Sequence, residues 1–502
     1  MIIARLALCA ALLAVSLPVR AYETVLTDMQ VQGTIQVSRL NEIFNQYLAT
    51  VQLVDPEQAT RYGLHDADRN LTPRTLKNEQ TRLDAFRNYL AQIDALDPDV
   101  MPPDSAIDFK LFRAKLLIDI ANIDQLQNLR RRPQYYMEAV ASIYGLLSKD
   151  FEPYPIRAEN ALLRLEQLPA VLTEAEQNLY HPPKIWVDKA IDQCNDAEKS
   201  FPDLMTELRR LIGMDPLLRQ RVEKAVENAK KAVTRYQEFL QDDVMVQADG
   251  DFRVGEEVFG YYLERWHMVD DSPGGIIKRM KKNFASASGD FMEEYEHYME
   301  TSGLSVSNFD DVLYKIGESH PAEDELEEYF RMELERAYKH FDKYRLLPLP
   351  RERLKIVPTP EYLKSQSAFA FYNAPFSLDK NRVAELFINL PSRKMPKNVR
   401  EAVLRLAFSE PYIEMAVVQE AFPGRHLQDS QSLSGTRIRR LIPQPFIQNG
   451  WAAYAQYLAL EQGYFTHHAA RLVYLRWNMV RAARAMADAM LHNSEMDYNQ
   501  AV

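Results

Sequence analysis

Glycine is scarce along this chain, and its apolar residues recur at helical rather than strand-like intervals. Only 16 glycines occur in 502 residues, and no alternating apolar–polar run of any length is present. A helix buries one face when apolar side chains recur every three or four positions, whereas a half-buried strand requires strict alternation. Val222, Val226, Ala229, Val233, Tyr236 and Leu240 obey the first rule, with Glu223, Lys224, Glu227, Lys230 and Lys231 on the opposite face. Leu472, Leu475, Met479, Ala483, Met486 and Met490 repeat it near the end. Both stripes predict helices that pack on a core. The segment 368–390, with Phe369, Phe371, Tyr372, Phe376, Phe387 and Ile388, is where a small β element is expected. Breaks fall at Pro102-Pro103, Pro153 to Pro155, Pro182-Pro183, Pro348 to Pro350 and Pro443 to Pro445. No short-period repeat of the solenoid type is present. The expectation is a mainly α body over residues 22–502, as one unit or as two lobes around a cleft.

Residues 1–21 are expected to be removed before folding. Arg5 provides a positive start, Leu6 to Val19 is an apolar run, and Val19-Arg20-Ala21 forms a small-residue cleavage site before Tyr22. The run is too short to span a bilayer, which makes it a secretory signal peptide. Cys9 is not read as a lipidated cysteine, because Leu8 before it is too large and the apolar run continues past it. Export to the periplasm, or secretion, is expected, with no membrane contact after cleavage. Loss of residues 1–21 removes Arg5 and Arg20 and no acids, so the formal charge moves from −11 to −13. An acidic exported chain gives no reason to expect nucleic acid as a partner. Cys194 is then the one remaining cysteine, which leaves no intrachain disulfide even in an oxidising compartment. With 46% hydrophobic residues, stability is expected to come from a large core.

The stretch Gln419-Glu420-Ala421-Phe422-Pro423-Gly424-Arg425-His426-Leu427-Gln428 reads like a zinc-hydrolase motif that has lost ligands. A working version would begin His-Glu and carry two histidines after Pro-Gly. Further on, Asn449-Gly450-Trp451-Ala452-Ala453-Tyr454-Ala455-Gln456 stands where a Glu-Gly-Trp-Ala-x-Tyr-Ala-Glu pattern would supply a carboxylate. Zinc hydrolysis needs three protein ligands, an open position for water and a nearby base. Glu420 fills the base position and His426 offers an imidazole, but Gln419 and Asn449 are amides, which are poor zinc ligands. Arg425 adds a positive charge beside the site and is expected to pair with Glu420, neutralising a buried carboxylate. Gln456 and Asn449 remove negative charges that a metal would have balanced. No metal or other cofactor is therefore expected; zinc enters only under the alternative below.

These residues resemble family 885 of the domains of unknown function, a bacterial group of zincin-like metallopeptidase relatives. The resemblance covers the mature chain. Ala59-Thr60-Arg61-Tyr62-Gly63-Leu64-His65-Asp66 is similar to the family's Gly-x-His segment, and Arg132-Pro133-Gln134-Tyr135-Tyr136 with Tyr144-Gly145-Leu146-Leu147 and Asp150-Phe151 to its next landmark. Phe252-Arg253-Val254-Gly255-Glu256-Glu257 and Asn389-Leu390-Pro391-Ser392-Arg393 are further similar segments. Arg484, Asp488 and His492 sit like the family's late Arg-x-x-x-Asp-x-x-x-His helix. The resemblance implies a helical, zincin-like peptidase scaffold around a cleft. It also implies further segments beyond the late helix, relative to which the end at Val502 is short. Of the positions matching the catalytic set, Glu420, His426 and His492 remain, while Gln419, Arg425, Asn449 and Gln456 depart from it.

The remaining candidates are weaker. Asp488 and His492, one helical turn apart, either orient a substrate carbonyl or stabilise helix packing. Trp451 and Tyr454 are expected to pack the motif helices together. His467-His468 are expected at the surface, His267 with Asp270 and Asp271 before a helix cap at Ser272, and His65 with Asp66 and Asp68 in a turn. Gly-x-Ser-x-Gly and phosphate-cradling glycine loops are absent. The expected function is an exported, metal-free and catalytically impaired homologue of a zinc metallopeptidase with a peptide- or protein-binding cleft. The alternative is an active hydrolase using Glu420, His426 and His492 with a weakly held metal.

Overall fold

Helices begin in this chain where a cap or a proline satisfies their first turn. The computed structural model describes residues 19–501 except 213–214, 305–308, 344, 367–368, 393–394 and 468. Most of the expected signal peptide therefore lies outside the described residues, as do Arg393 and His468. Asp55 accepts from the Gln58 amide and Thr75 from the Asn78 amide at the starts of two helices, and Pro103 and Pro445 each open another at the position where a missing N–H does no harm. Ser272 caps a long helix through the Gly275 amide at 3.0 Å, as expected from the Asp-Asp-Ser-Pro-Gly stretch after His267. Pro169 and Pro202, by contrast, lie inside helices.

Four helical regions and one sheet make up the body. The amino-terminal group is α1 (Val19–Val54), α2 (Pro56–Tyr62), α3 (Leu76–Asp94) and α4 (Pro103–Asp124), which share a core of Phe44, Tyr47, Phe86 and Phe112. The second group is α5 (Gln134–Ser148), α6 (Tyr154–Asn178), α7 (Lys184–Ile212) and α8 (Pro216–Phe239). All six residues of the Val222 to Leu240 stripe are buried there. Cys194 is fully buried in the same core, and burial pushes its thiol up to about 12. Next, α9 (Pro273–Ser302) runs along α14 (Ala470–His492) over a core containing Phe291, Leu472 and Leu475. Between them in sequence come α10 (Leu326–Lys343) and the sheet, then α11 (Glu410–Ala416), α12 (Arg425–Ser432) and α13 (Pro445–Glu461), packed around Phe330, Phe341, Leu386 and Phe422. Among the described residues, no helix is long and apolar enough to cross a membrane.

The sheet has three strands, β1 (Arg353–Pro358), β2 (Ala370–Asn373) and β3 (Val383–Ile388), in the order β1-β3-β2. β3 is central, parallel to β1 and antiparallel to β2, with Leu386 opposite both Ile356 and Tyr372. A central strand covered on both faces reads as an apolar run rather than an alternation, and Leu386, Phe387 and Ile388 are all buried. The expected β element thus supplies two of the strands, while β1 precedes it. β2 is an edge, so its outward backbone N–H groups are available to another element.

One histidine ties the amino-terminal helices to the loop between β2 and β3. His65 Nδ1 lies 2.8 Å from Asp68 and its Nε2 2.8 Å from Asp379, with the ring stacked on Phe151 at 4.0 Å. Gly63, at φ +80°, lets the chain approach the Leu378 and Asp379 backbone closely enough to make this junction. Burial disfavours charge on the imidazole, but the hydrogen bonds to Asp379 and Asp68 outweigh it and raise its pKa to about 9. The folded state thus holds a proton that the unfolded chain loses near pH 6.5. The stabilisation is complete below about pH 6.5 and is lost as pH rises towards 9. In urea unfolding, wild type is expected to exceed His65→Asn clearly at pH 6, with the gap shrinking by pH 9.5. An unchanged gap would exclude the ion pairs as its source.

Candidate functional site

The motif folds as a sharp passage between helices. After α11 the chain widens into a π-helical turn over Val417–Ala421, passes a cis Phe422–Pro423 peptide and enters α12 at Arg425. Such wide turns re-aim side chains that a regular helix would bury or splay. Gly424 closes the passage: a Cβ there would lie 2.0 Å from the Gln419 carbonyl oxygen and 2.3 Å from that of Val418. Trp451 on α13 locks it from outside, donating its indole N–H to the Pro423 carbonyl at 2.8 Å.

Glu420 is buried at the centre of this turn, and three groups meet its carboxylate. Gln419 Nε2 donates to Oε1 at 2.8 Å, and the Tyr372 backbone N–H on the open edge of β2 donates to Oε2 at 3.1 Å. Arg425 Nε stands 3.1 Å from Oε2, an ion pair whose N–H is not aligned as a hydrogen bond. Arg425 also donates to Asn449 Oδ1 on α13 at 2.6 Å. The ring of contacts joins the sheet, the π-turn, α12 and α13 through one carboxylate.

Arg481 on α14 organises the other side. It donates to Gln419 Oε1 at 3.0 Å, to Gln456 Oε1, and to Asn478 Oδ1 at 2.8 Å. Gln456, itself buried, donates back to Gln419 Oε1 at 3.1 Å and to the Met415 carbonyl at 3.3 Å. Burial lowers the pKa of Arg481 from the usual arginine range, and its three side-chain acceptors are neutral amides. The motif was legible in sequence, but Arg481 was not among the expected site residues. The late-helix pattern pointed to Arg484, which is exposed. The helical spacing Arg481, Ala485, Asp488, His492 was the available signal.

His426 is fully buried behind this cluster. Its Nε2 lies 3.1 Å from the Glu352 carbonyl and its Nδ1 3.5 Å from the Tyr372 hydroxyl, which donates to Asp429 at 2.8 Å. Burial lowers the His426 pKa to about 4 and raises that of Asp429 to about 6. His426 is therefore a neutral core imidazole. Tyr372 is a further site residue that the motif did not reveal, since β2 brings it in from a distant segment; Asp429, one position past the motif on α12, joins the site as its partner.

His492 lies elsewhere. It is eleven residues beyond Arg481 on the same helix, roughly 16 Å along the axis. Its Nδ1 accepts from the Val254 N–H at 3.1 Å, its Nε2 is 3.6 Å from Asp488 Oδ1, and its ring stacks on Phe259 at 5.3 Å. The structure thus brings Glu420, Arg425, Gln419, Asn449 and Gln456 together and leaves His492 and Asp488 in a separate recess. Trp451 packs the motif as expected. Tyr454 does not; it is 48% exposed, because position 454 falls on the outer face of α13 between the buried Ala452 and Ala455. Its neighbours are the Trp451 and Tyr457 rings, at 5.8 and 6.2 Å. His467 Nδ1 accepts from the Ala469 amide at 3.1 Å. Among the described residues, no three His, Cys, Asp or Glu side chains gather as a metal ion requires.

Residues 56–502 match the family described as "Bacterial protein of unknown function (DUF885)". The chain belongs to the DUF885 family. Its fold is shared by two solved structures. One is described as a "putative lipoprotein of unknown function" from Shewanella oneidensis, with a TM-score of 0.72 and 19% identity over 92% of this chain and 85% of that one. The other is described as the "putative lipoprotein from Colwellia psychrerythraea", with a TM-score of 0.71 and 16% identity over 93% of this chain and 85% of that one. No curated protein matches the chain.

The Gly424 contact gives a direct test of how tightly this DUF885 motif is folded. Gly424→Ala is expected to destabilise by roughly 1–3 kcal/mol, because the colliding atoms are backbone and cannot swing away. Gly450→Ala, where a Cβ meets nothing within 4 Å in mid-helix, is expected to stabilise by about 0.5–1 kcal/mol. Urea unfolding of the two variants checks both signs.

Proposed function

We propose that this DUF885 chain is an exported, metal-free relative of zincin-like peptidases whose cleft binds an extended peptide or partner protein without hydrolysing it. The observation that carries this reading is the clamp of Gln419 and Gln456 on the Arg481 guanidinium. Where a peptidase would hold a divalent cation between an imidazole and a carboxylate, this chain holds its own fixed cation between two amides. The residues present do not fit zinc. Gln419 and Asn449 offer weak amide oxygens already engaged by Arg481 and Arg425, and His426 faces the Glu352 carbonyl and Tyr372. Glu420, the expected base, is saturated by Gln419, Tyr372 and Arg425.

A binding role follows from the charges that remain. Arg481 has a charge partly withdrawn from water with only amides against it, and Arg425 is one-third exposed beside the exposed Asn449. Guanidinium groups in this setting attract a carboxylate. The row Trp451, Tyr454, Tyr457 beside them presents flat apolar surface for side chains to pack on. Export is supported by the apolar run Leu6 to Val19 before Val19-Arg20-Ala21, and by the lipoprotein description that both solved neighbours carry.

Elemental analysis of the purified mature chain tests the reading. Less than a tenth of an equivalent of zinc is expected. A Gln419→His, Arg425→His, Asn449→Glu variant is expected to remain nearly empty, and to take up zinc only when Arg481→Met is added, because the guanidinium otherwise opposes the ion at close range. Near-stoichiometric zinc in wild type, or peptide turnover that disappears in Glu420→Ala, would overturn the proposal in favour of an active hydrolase.

A further inference from the structure

A second recess opens on the same face of α14, beyond the motif. Ala485, Asp488 and His492 continue the row that begins at Arg481, and they border a cavity of about 320 Å³. That volume is at the lower end of the range for small-molecule pockets. Leu263, Ile276 and Ala485 make its walls apolar. Two aromatic–imidazole pairs face it: Phe259 stacked on His492 at 5.3 Å and 21°, and Phe446 tilted against His267 at 4.9 Å and 41°. Phe446 is one turn before Asn449 on α13, so the cavity adjoins the Arg425–Asn449 end of the site.

Its polar groups are few and specific. His492 Nδ1 accepts from the Val254 N–H, which places the proton of the neutral ring on Nε2. Asp488 Oδ1, at 3.6 Å from Nε2, is beyond hydrogen-bonding range and two-thirds exposed at the mouth. His492 Nε2–H is therefore a donor with no hydrogen-bond acceptor from Asp488, free to meet a ligand. His267 Nδ1 is buried with no hydrogen-bond partner. Burial lowers the pKa of both rings, so both are neutral near pH 7. A buried polar atom without a partner is unusual, and His267 Nδ1 marks a place where a ligand completes the set.

We propose that this cavity binds a phenol: a flat aromatic ring that slides between the two ring pairs, with a hydroxyl that accepts from His492 Nε2–H and donates to His267 Nδ1. A hydroxyl on a ring does both at one atom. A carboxylate would meet Asp488 and two neutral imidazoles, and an aliphatic chain would leave both histidines unpaired. The phenol comes either as a free small molecule or as the side chain of a tyrosine within a peptide. The proposal rests on the cavity and is independent of the metal-free reading of the motif.

The test is calorimetric titration of the mature chain at pH 7.5 with p-cresol, toluene and N-acetyl-tyrosinamide, with Trp266 fluorescence as a second signal. Trp266 lies 6.4 Å from the His267 ring. Saturable p-cresol binding is expected, at least tenfold tighter than toluene. His267→Phe is expected to erase that ratio while toluene binding persists, and Ala485→Phe to abolish both by filling the cavity. Equal affinity for p-cresol and toluene, or no saturable binding of either, overturns the proposal; the wild-type comparison decides even where a variant fails to fold. Tighter binding of N-acetyl-tyrosinamide than of p-cresol identifies the peptide source, and weaker binding the free phenol. Phenol binding by a chain that carries zinc would sink the metal-free reading while leaving this one intact.

Discussion

The buried carboxylate of Glu420 is the constraint around which the motif region is arranged. A carboxylate withdrawn from water is tolerated only when hydrogen-bond donors and an opposite charge surround it. Its partners come from three places in sequence: the Gln419 amide beside it, the Arg425 guanidinium as an ion pair at the start of α12, and the backbone N–H of Tyr372 on the edge of β2. The third is the most consequential. It uses an edge N–H that the sheet leaves unpaired, and so fixes the sheet against the π-turn. From there the order propagates, since Tyr372 also holds Asp429, and Arg425 reaches Asn449 on α13.

Charge is balanced on the two sides of the site by different means. Around Glu420 an arginine stands within 3.1 Å, so the pair is close to neutral. Around Arg481 there are only amide dipoles, which stabilise a guanidinium by hydrogen bonding without cancelling its charge. The difference leaves the Arg481 charge with no carboxylate among its hydrogen-bond acceptors, next to a Glu420 that is internally paired. Glutamine at 456 preserves that difference, since a carboxylate there would neutralise Arg481.

The histidines divide by what surrounds them. His65 sits between two aspartates and is held protonated, whereas burial holds His426, His267 and His492 neutral. Proximity to carboxylates favours the imidazolium and burial opposes it, and which wins depends on the contact distance. At 2.8 Å the aspartates prevail; at 3.6 Å Asp488 does not.

Much of the fold was legible in the sequence because helix burial is a local periodicity. The Val222 to Leu240 stripe, the proline breaks, the Ser272 cap and a β element near 368–390 all follow from neighbours within a few positions. The second stripe was legible only in part: Leu472 and Leu475 are buried, while Met479, which packs at the margin of their core, and Ala483, Met486 and Met490 are half-buried. For the site, the contact of Arg425 with Glu420 could be anticipated from charge alone, as both lie in one short motif. The roles of Arg481, Tyr372 and Asp429 could not, nor the separation of His492 from Glu420, since these depend on how a strand edge and a long helix meet the π-turn. Sequence by itself determined which segments are helical and which carry polar chemistry, through spacing and charge along the chain. Tertiary structure alone decided which polar groups meet, because partnership requires atoms within about 3 Å and no local pattern encodes distances between segments a hundred residues apart.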